Sequence, residues 1–546
     1  MYREKGENMA KIKKKETFVQ GILTLMFSQV LIKLLGLVYT LYLTNKEGFG
    51  DKGNGIVSAG YQIYAMLLTV SSIGVPSAIA KLVSERNAVG DTKGAHRVFK
   101  IAFATFSVIG LIGSLMLFSG ANMIANDWLK IPEASMTLVT LSPAIFFVAI
   151  SSVMRGYFNG TSNVKATARA QSLEQVFKTA LTIIFVEIIA IVSNTSTTLM
   201  AGGATLATTV ATFAGFGYLY LYYKTKSKEI HNEIKKTKNY KYERVSSIIK
   251  KIMWVSIPIT LTAILSSINK NIDSFTVVSS LKAFMPNDEA LAQYGILGGK
   301  VDMLIGLPLS INVAFVTVLV PTIASAKAKK DNITIQSKTG FSILVAILIG
   351  LACTIGLSIF ASPILRLLFP NASSGVSVLQ ISSFTIIFTM IVQTINAVLQ
   401  GYGKLIAPVI AFACGVVVKL ILNLILVPIE DIGVHGAAIG SVACHMVACL
   451  ISIWYLKRNV KIKLSIFKYV IKPLIAVCIM GICSYYLFIT LNGILGSNMA
   501  IILAMIFAVV IYAMAIIALK IFTKDEIKSF PQGAKILCIL EKMKIY

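Results

Sequence analysis

The sequence predicts an all-α integral membrane protein of about fourteen transmembrane helices. They form two parallel six-helix lobes around a central cavity, with two further helices at the C-terminal end. Three observations predict it. Apolar residues gather into runs of about 20 or more, the length that crosses about 30 Å of hydrocarbon. Lys and Arg are concentrated on alternate loops. A set of short motifs recurs at one fixed separation, the mark of a duplicated helical bundle.

The apolar runs set the class. Of 546 residues, 56% are hydrophobic and 14% charged, and the mean hydropathy is +0.78. A soluble chain of this length would divide into several domains with polar surfaces. The spans are predicted at roughly 18–43, 55–80, 98–121, 135–157, 164–189, 199–223, 250–280, 294–324, 339–362, 376–400, 405–428, 435–456, 470–491 and 498–520. The first run is too long, and wrongly flanked, for a cleaved signal peptide. The chain is therefore expected to be a multi-pass protein of the cell membrane.

Loop charge orients the spans. With Lys11, Lys13, Lys14 and Lys15 on the cytoplasmic side, the outer loops hold Lys46, Lys52, Lys130, Lys282, Lys300 and Arg366 out of 51 Lys and Arg. The acidic "EDIG" (Glu430 to Gly433) also falls outside, so both termini are predicted to be cytoplasmic. The formal charge of +27 is then a bias spread over every cytoplasmic loop, and nucleic-acid binding is not expected. The densest basic run, Lys224 to Lys251, reads as an interfacial linker beside anionic headgroups.

The repeat fixes the domain plan. "GVPSAIAK" (Gly74 to Lys81) closes span two and "LVPTIASAK" (Leu319 to Lys327) closes span eight, with Pro76 and Pro321 245 positions apart. "RGYFNG" (Arg155 to Gly160) and "QGYGK" (Gln400 to Lys404) follow spans four and ten, and Gly156 and Gly401 have the same separation. Six spans therefore repeat six spans, and an even number makes the repeats parallel. The plan is a basic N-terminus at 1–17, a first lobe at 18–223, a linker at 224–249 and a second lobe at 250–456. Two further spans lie within 457–520, and a cytoplasmic tail covers 521–546.

Charges inside the spans mark candidate function, because each costs about 2.5–3.5 kcal/mol at a helix centre and so normally faces protein or water. On span one, Gln29, Lys33, Gly36 and Thr40 share one narrow helical face. On span seven, Ser256, Thr260, Ser267, Lys270 and Ser274 share a stripe, with Asp273 one turn beyond Lys270. Spans one and seven are equivalent members of the repeat, so the two stripes are expected to line opposite walls of a cavity. Span five carries Glu174 and Lys178, spaced as an i,i+4 pair that could neutralise itself. Lys300 and Asp302 open span eight near the outer rim, and Lys419 lies within span eleven. Lysines facing a cavity act as mobile point charges suited to phosphate oxygens. The expected substrate-binding set is Lys33, Lys270, Lys419 and Lys300, supported by Gln29, Asp273, Asp302, Glu174, Lys178 and Ser267.

Other chemistry is not expected. The seven cysteines form no CxxC pair and read as small hydrophobes, and the four histidines have no metal-ligand spacing. No catalytic residue, metal or cofactor is predicted, and a coupling cation is left open. A membrane enzyme would need a catalytic constellation, and Asp127, Glu133, Glu430 and Asp431 are scattered outer-loop acids.

Three blocks carry a family resemblance. They are "GYQIYAMLLTVSSIGVPSAIAKLVSERNAVGD" (Gly60 to Asp91), "MRGYFNGTSNVKATARAQSLEQVFK" (Met154 to Lys178) and "YGILGGKVDMLIGLPLSINVAFVTVLVPTIASAKAKKD" (Tyr294 to Asp331). They resemble the Gram-positive lipid II flippase and stage V sporulation protein B group, in the polysaccharide transporter branch of the multidrug/oligosaccharidyl-lipid/polysaccharide exporter superfamily. The resemblance covers most of 18–456. It implies a monomeric, two-lobed, fourteen-helix transporter with a cationic cavity, exporting undecaprenyl-pyrophosphate-linked peptidoglycan precursor by alternating access. Gram-negative relatives place arginines on spans one, two and eight. Here span one has Gln29 and Lys33, span two has no central basic residue, and Lys300 approximates the span-eight position. Gly74, Pro76, Pro308 and Pro321 are candidate hinges for rocking of the lobes. The competing readings are a flippase for a capsule, teichoic or spore-cortex precursor and a cation-coupled drug exporter. The latter would favour acids where these spans carry lysines.

Overall fold

The computed structural model describes residues 31–528 apart from 33, 73, 162, 194, 236–241, 329, 405, 461, 463 and 464, together with residue 537. Among the described residues every regular element is helical. In chain order the α-helices are α1 (Leu34–Asn45), α2 (Gly50–Ser72), α3 (Gly74–Ala88), α4 (Thr92–Met123), α5 (Ala134–Gly160), α6 (Val164–Val192), α7 (Thr197–Lys235), α8 (Val245–Leu281) and α9 (Asn287–Gly295). They continue as α10 (Asp302–Ala328), α11 (Asn332–Ile359), α12 (Ala361–Leu368), α13 (Val376–Gly401), α14 (Ile406–Leu426), α15 (Val434–Asn459), α16 (Lys472–Leu495), α17 (Ser497–Ala518) and α18 (Lys524–Lys528). Single π-helical turns at Ile124–Trp128, Ile296–Val301 and Phe467–Ile471 adjoin α4, α9 and α16. Twelve helical stretches of the described residues are long and apolar enough to cross a membrane, and α1 is a shorter apolar helix. The chain is a multi-pass membrane protein.

Two compact units divide the chain at Gly299 and Lys300, one span later than the repeat boundary. In the first unit α5 is the central helix, packed by α2, α3, α4 and α7. Its buried face carries small and hydroxyl residues, among them Ser142, Ser151, Ser152, Gly156 and Gly160. Lipid tails are as apolar as leucine, so helix association in a bilayer rests on close packing and interhelical hydrogen bonds, which small residues permit. In the second unit α13 takes the same role against α10, α11 and α15.

The duplicated motifs make duplicated contacts. A Cβ on Gly156 would stand 2.9 Å from the Pro76 carbonyl oxygen and 2.9 Å from the Ile79 Cβ. A Cβ on Gly401 would stand 2.7 Å from the Val320 carbonyl oxygen and 2.9 Å from the Ile323 Cβ. Each glycine thus lets a central helix meet the backbone of the helix bearing the VP motif. Asp91 caps α4 by accepting from the Gly94 amide at 2.8 Å, and Asp331 caps α11 by accepting from Thr334 at 2.9 Å. Asp91→Ala and Asp331→Ala are each expected to lose about 1 kcal/mol, whereas the Asn variants, which keep an acceptor, lose less. Chemical-denaturant unfolding of the purified protein checks this.

The basic stretch after residue 223 is helical at both ends: α7 runs on to Lys235, and α8 starts at Val245. The continuation "KTKSKEIHNEIK" has no Pro or Gly, and Lys226 bridges Glu229 at 2.8 Å one turn on. The proposed hinge prolines Pro308 and Pro321 lie within α10, which is helical throughout its length. Gly74, which opens α3, permits a close approach, since a Cβ there would stand 2.1 Å from the Thr260 hydroxyl oxygen on α8.

The end of the linker is tied to the α3–α4 turn. Arg86 reaches Glu243 at 2.9 Å and Asp91 at 3.6 Å, and Lys251 donates to both Glu243 oxygens at 2.9 Å. Burial alone would raise the Glu243 carboxyl. The Lys251 hydrogen bonds and the Arg86 charge outweigh it and hold the group below its ordinary 4.5. A depressed carboxylate stabilises the fold above its unfolded value, and that contribution is lost as pH falls through the folded value. Glu243→Gln is therefore expected to lower stability at neutral pH and to flatten its decline below about pH 4.5. Unfolding followed between pH 3 and 7 reads this directly.

Candidate functional site

The intramembrane charges are distributed differently from the spacing-based expectation. Lys33 and Gln29, the core of the predicted span-one stripe, lie outside the described residues. On α8 the predicted stripe is largely taken up by neighbouring helices of the first unit. The Ser267 hydroxyl meets that of Thr69 on α2 at 2.8 Å, and Ser274 meets the Tyr294 hydroxyl at 2.7 Å. Asn271 donates to the Gln62 carbonyl oxygen at 3.3 Å and to that of Ser267 at 2.8 Å. Ser256 and Thr260 are buried. These hydroxyls and amides join helices, the usual work of small polar side chains at such interfaces. Lys270 is exposed on α8 and Asp273 is half-buried, and each has a polar or electrostatic partner.

In the second unit two candidate lysines are fully buried. Lys300 lies in the π turn before α10 and is 0% exposed. Its ammonium donates to the Ala372 carbonyl at 2.6 Å and the Ser374 carbonyl at 2.9 Å, with the Phe369 ring 5.7 Å away. Rather than lying at a wet rim, it holds the segment between α12 and α13. Hydrogen bonds to charged groups contribute roughly 1.5–3 kcal/mol each. Lys300→Met, which keeps the stem but removes the donors, is expected to lower stability by about that amount, measurable by thermal unfolding in detergent. Lys419 on α14 is 1% exposed and lies against Gly440 of α15, whose Cβ would stand 3.5 Å from the Lys419 Cγ. Asp302, on the first turn of α10, is half-buried.

Glu174 and Lys178 are not each other's main partner. Glu174 pairs with Arg155 of α5 at 2.7 Å, and the two side chains are 24% and 14% exposed. A Cβ on Gly215 of α7 would stand 3.1 Å from the same Glu174 oxygen, so a side chain is excluded where the carboxylate rests. Lys178, at the midpoint of α6, lies over the Tyr39 ring at 5.0 Å and the Tyr61 ring at 4.7 Å. Arg155, Glu174, Lys178 and Tyr61 line a polar cavity of about 130 Å³ within the first unit, together with Tyr64, Gln175, Thr208 and Thr212. Sequence reasoning missed Arg155, because it sits beside the repeated Gly-Tyr motif near a helix end and reads as a loop charge. Glu187 was missed as well. It receives hydrogen bonds from Lys46 at 2.6 Å and Tyr42 at 2.5 Å, joining α6 to α1 and the turn after it. Among the described residues no group of three or more His, Cys, Asp or Glu side chains is placed to hold a metal.

Comparison with known proteins places this arrangement. The family described as "Polysaccharide biosynthesis protein" matches residues 18–327, and the family described as "MatE" matches residues 258–425. The chain is 25% identical over 519 residues to Stage V sporulation protein B of Bacillus subtilis (strain 168), covering 95% of this chain and 98% of that protein. It is 24% identical over 484 residues to the lipid II flippase MurJ of the same organism, covering 85% and 87%. Among solved structures it resembles the lipid II flippase MurJ in an inward closed conformation, with a TM-score of 0.65 at 14% identity, covering 91% of this chain and 98% of that one. An inward-facing multidrug-resistance MATE transporter of the MOP superfamily gives a TM-score of 0.67 at 16% identity, covering 79% and 94%.

Proposed function

The chain belongs to the polysaccharide biosynthesis protein family, and from that premise we propose that it is a flippase carrying undecaprenyl-pyrophosphate-linked peptidoglycan precursor, lipid II, from the inner to the outer leaflet by alternating access. It is a transporter and not an enzyme. The observation that carries the reading is Lys270, a lysine left exposed within a membrane-depth helix while hydroxyls of its stripe are taken up by neighbouring helices. A charge at that depth is retained against a cost of several kcal/mol. A chain that moves a pyrophosphate through hydrocarbon has use for such groups, and one that moves organic cations would place acids there.

Lys33 and Lys270 are the proposed contacts to the pyrophosphate. The spacing of the span-one stripe supports the first, and the exposure of Lys270 on α8 supports the second. The relatives carry two different names at nearly equal identity, so a second lipid-linked saccharide, such as a spore-cortex or teichoic precursor, is the competing substrate. Native mass spectrometry with lipid II, undecaprenyl phosphate and a teichoic precursor separates them, with Lys33→Ala and Lys270→Ala run beside the wild type. Selective lipid II binding weakened in both variants is the expected result. Unaffected binding in the variants would remove the two lysines from the site, and preference for another lipid would move the substrate. One elementary charge crossing 100 mV gains about 2.3 kcal/mol, so the anion's exit from an inside-negative cell is expected to be assisted by the membrane potential. Flipping in proteoliposomes should slow when the potential is clamped to zero.

A further inference from the structure

We propose that the polar cavity of the first unit binds a single small inorganic anion, of halide size, between Arg155 and Lys178. This goes beyond the flippase reading and does not depend on it. The cavity is lined by two cations and one acid, and among the described residues no other acidic side chain contributes to its wall. Glu174 is committed to Arg155 at 2.7 Å, which leaves a net positive charge centred on Lys178. That ammonium sits at the middle of a membrane-spanning helix, against two tyrosine side chains. Cation–π contacts contribute about 0.5–2 kcal/mol, whereas withdrawing an ammonium from water costs several kcal/mol even after relaxation. The rings and the nearby Glu174 carboxylate offset part of that cost, and an anion would offset more of it.

The donor set fits one. Among the described residues the buried Arg155 Nε has no hydrogen-bond partner, while the Arg155 Nη2 donates to Glu174 at 2.7 Å. Gln175 and Thr212 add neutral polar groups to the wall. About 130 Å³ holds a halide with several waters, since a single water needs roughly 10–15 Å³ of such space. The anion's place is therefore that of a resident counter-ion, which keeps Lys178 charged.

The test is chloride-35 NMR of the full-length protein in a neutral detergent, with gluconate as the inert replacement anion. Wild type is expected to broaden the chloride line saturably, and bromide should remove the broadening by competition. Arg155→Gln and Lys178→Met, each deleting one charged donor, are each expected to weaken chloride roughly tenfold. The thermal midpoint of the wild type should also rise as chloride replaces gluconate at constant ionic strength, a reading that needs no variant to fold. The proposal is overturned if the broadening is non-saturable, if it is unchanged in folded Lys178→Met, or if chloride leaves the wild-type midpoint unmoved. Displacement of the chloride by undecaprenyl phosphate at equal concentration would also overturn it, by assigning the site to a lipid-borne phosphate.

Discussion

Gly295→Val is expected to be the most damaging single substitution in the first unit. A Cβ at Gly295 would lie 1.9 Å from the Asp51 carbonyl oxygen and 2.7 Å from the Gly55 amide nitrogen. The approach is reciprocal, because a Cβ at Gly55 would lie 2.2 Å from the Leu291 carbonyl oxygen. Here α2 and α9 touch backbone to backbone, and no rotamer of a larger residue relieves the clash. Separating the helices would also break the Lys52–Asp288 bridge at 2.7 Å, whose partly exposed partners contribute little. Overpacking usually costs about 1–3 kcal/mol, and backbone-on-backbone contact puts this case at or above the upper end. The matched control is Gly217→Val on α7, where an added Cβ meets nothing within 4 Å and the loss should stay below about 1 kcal/mol. Thermal unfolding of both variants decides it. Equal midpoints would mean that α2 and α9 do not meet in the folded protein.

Breaking the Arg155–Glu174 pair from one side should cost roughly 2–4 kcal/mol. Arg155→Met leaves a carboxylate at membrane depth without its partner, and Glu174→Gln removes the acid paired with a guanidinium that shares its cavity with Lys178. Loss of one member of a buried pair typically costs about 3–5 kcal/mol; the residual exposure of both side chains lowers the expectation here. The double variant removes both charges and should recover much of the loss, since a neutral pair has nothing left uncompensated. A double-mutant cycle on denaturant midpoints measures the coupling. Additive single losses would show that the two groups act separately.

Much of the fold was legible in the sequence, because its signals are local. Apolar run length gives the spans, and the 245-residue repeat foretold contacts that recur: Gly156 on the Pro76 backbone and Gly401 on the Val320 backbone. The charged groups were less legible, and the reason is geometric. Spacing along one helix pairs Glu174 with Lys178, yet the shorter contact runs to Arg155 on a different helix, which no spacing rule within α6 can reveal. A stripe of Ser and Thr on α8 has the same periodicity whether it faces water or bonds to neighbouring helices, and here Ser267 bonds to α2 and Ser274 to α9. Lys300 reads as a rim residue by position, but it lies within the π turn before α10 and its ammonium donates to two carbonyls.

The length of α7 has a practical consequence. At 39 residues it extends about 58 Å, while the hydrocarbon it crosses is about 30 Å thick. Tilt absorbs part of the difference, and the charged final turns around Lys226 and Glu229 are exposed. A protein buried largely in a micelle offers few features by which single particles can be aligned in the electron microscope. A helical fusion grafted in phase onto the last turns of α7 would inherit the direction of the transmembrane segment beneath it. It would serve as a rigid fiducial that reports how that segment tilts during a transport cycle.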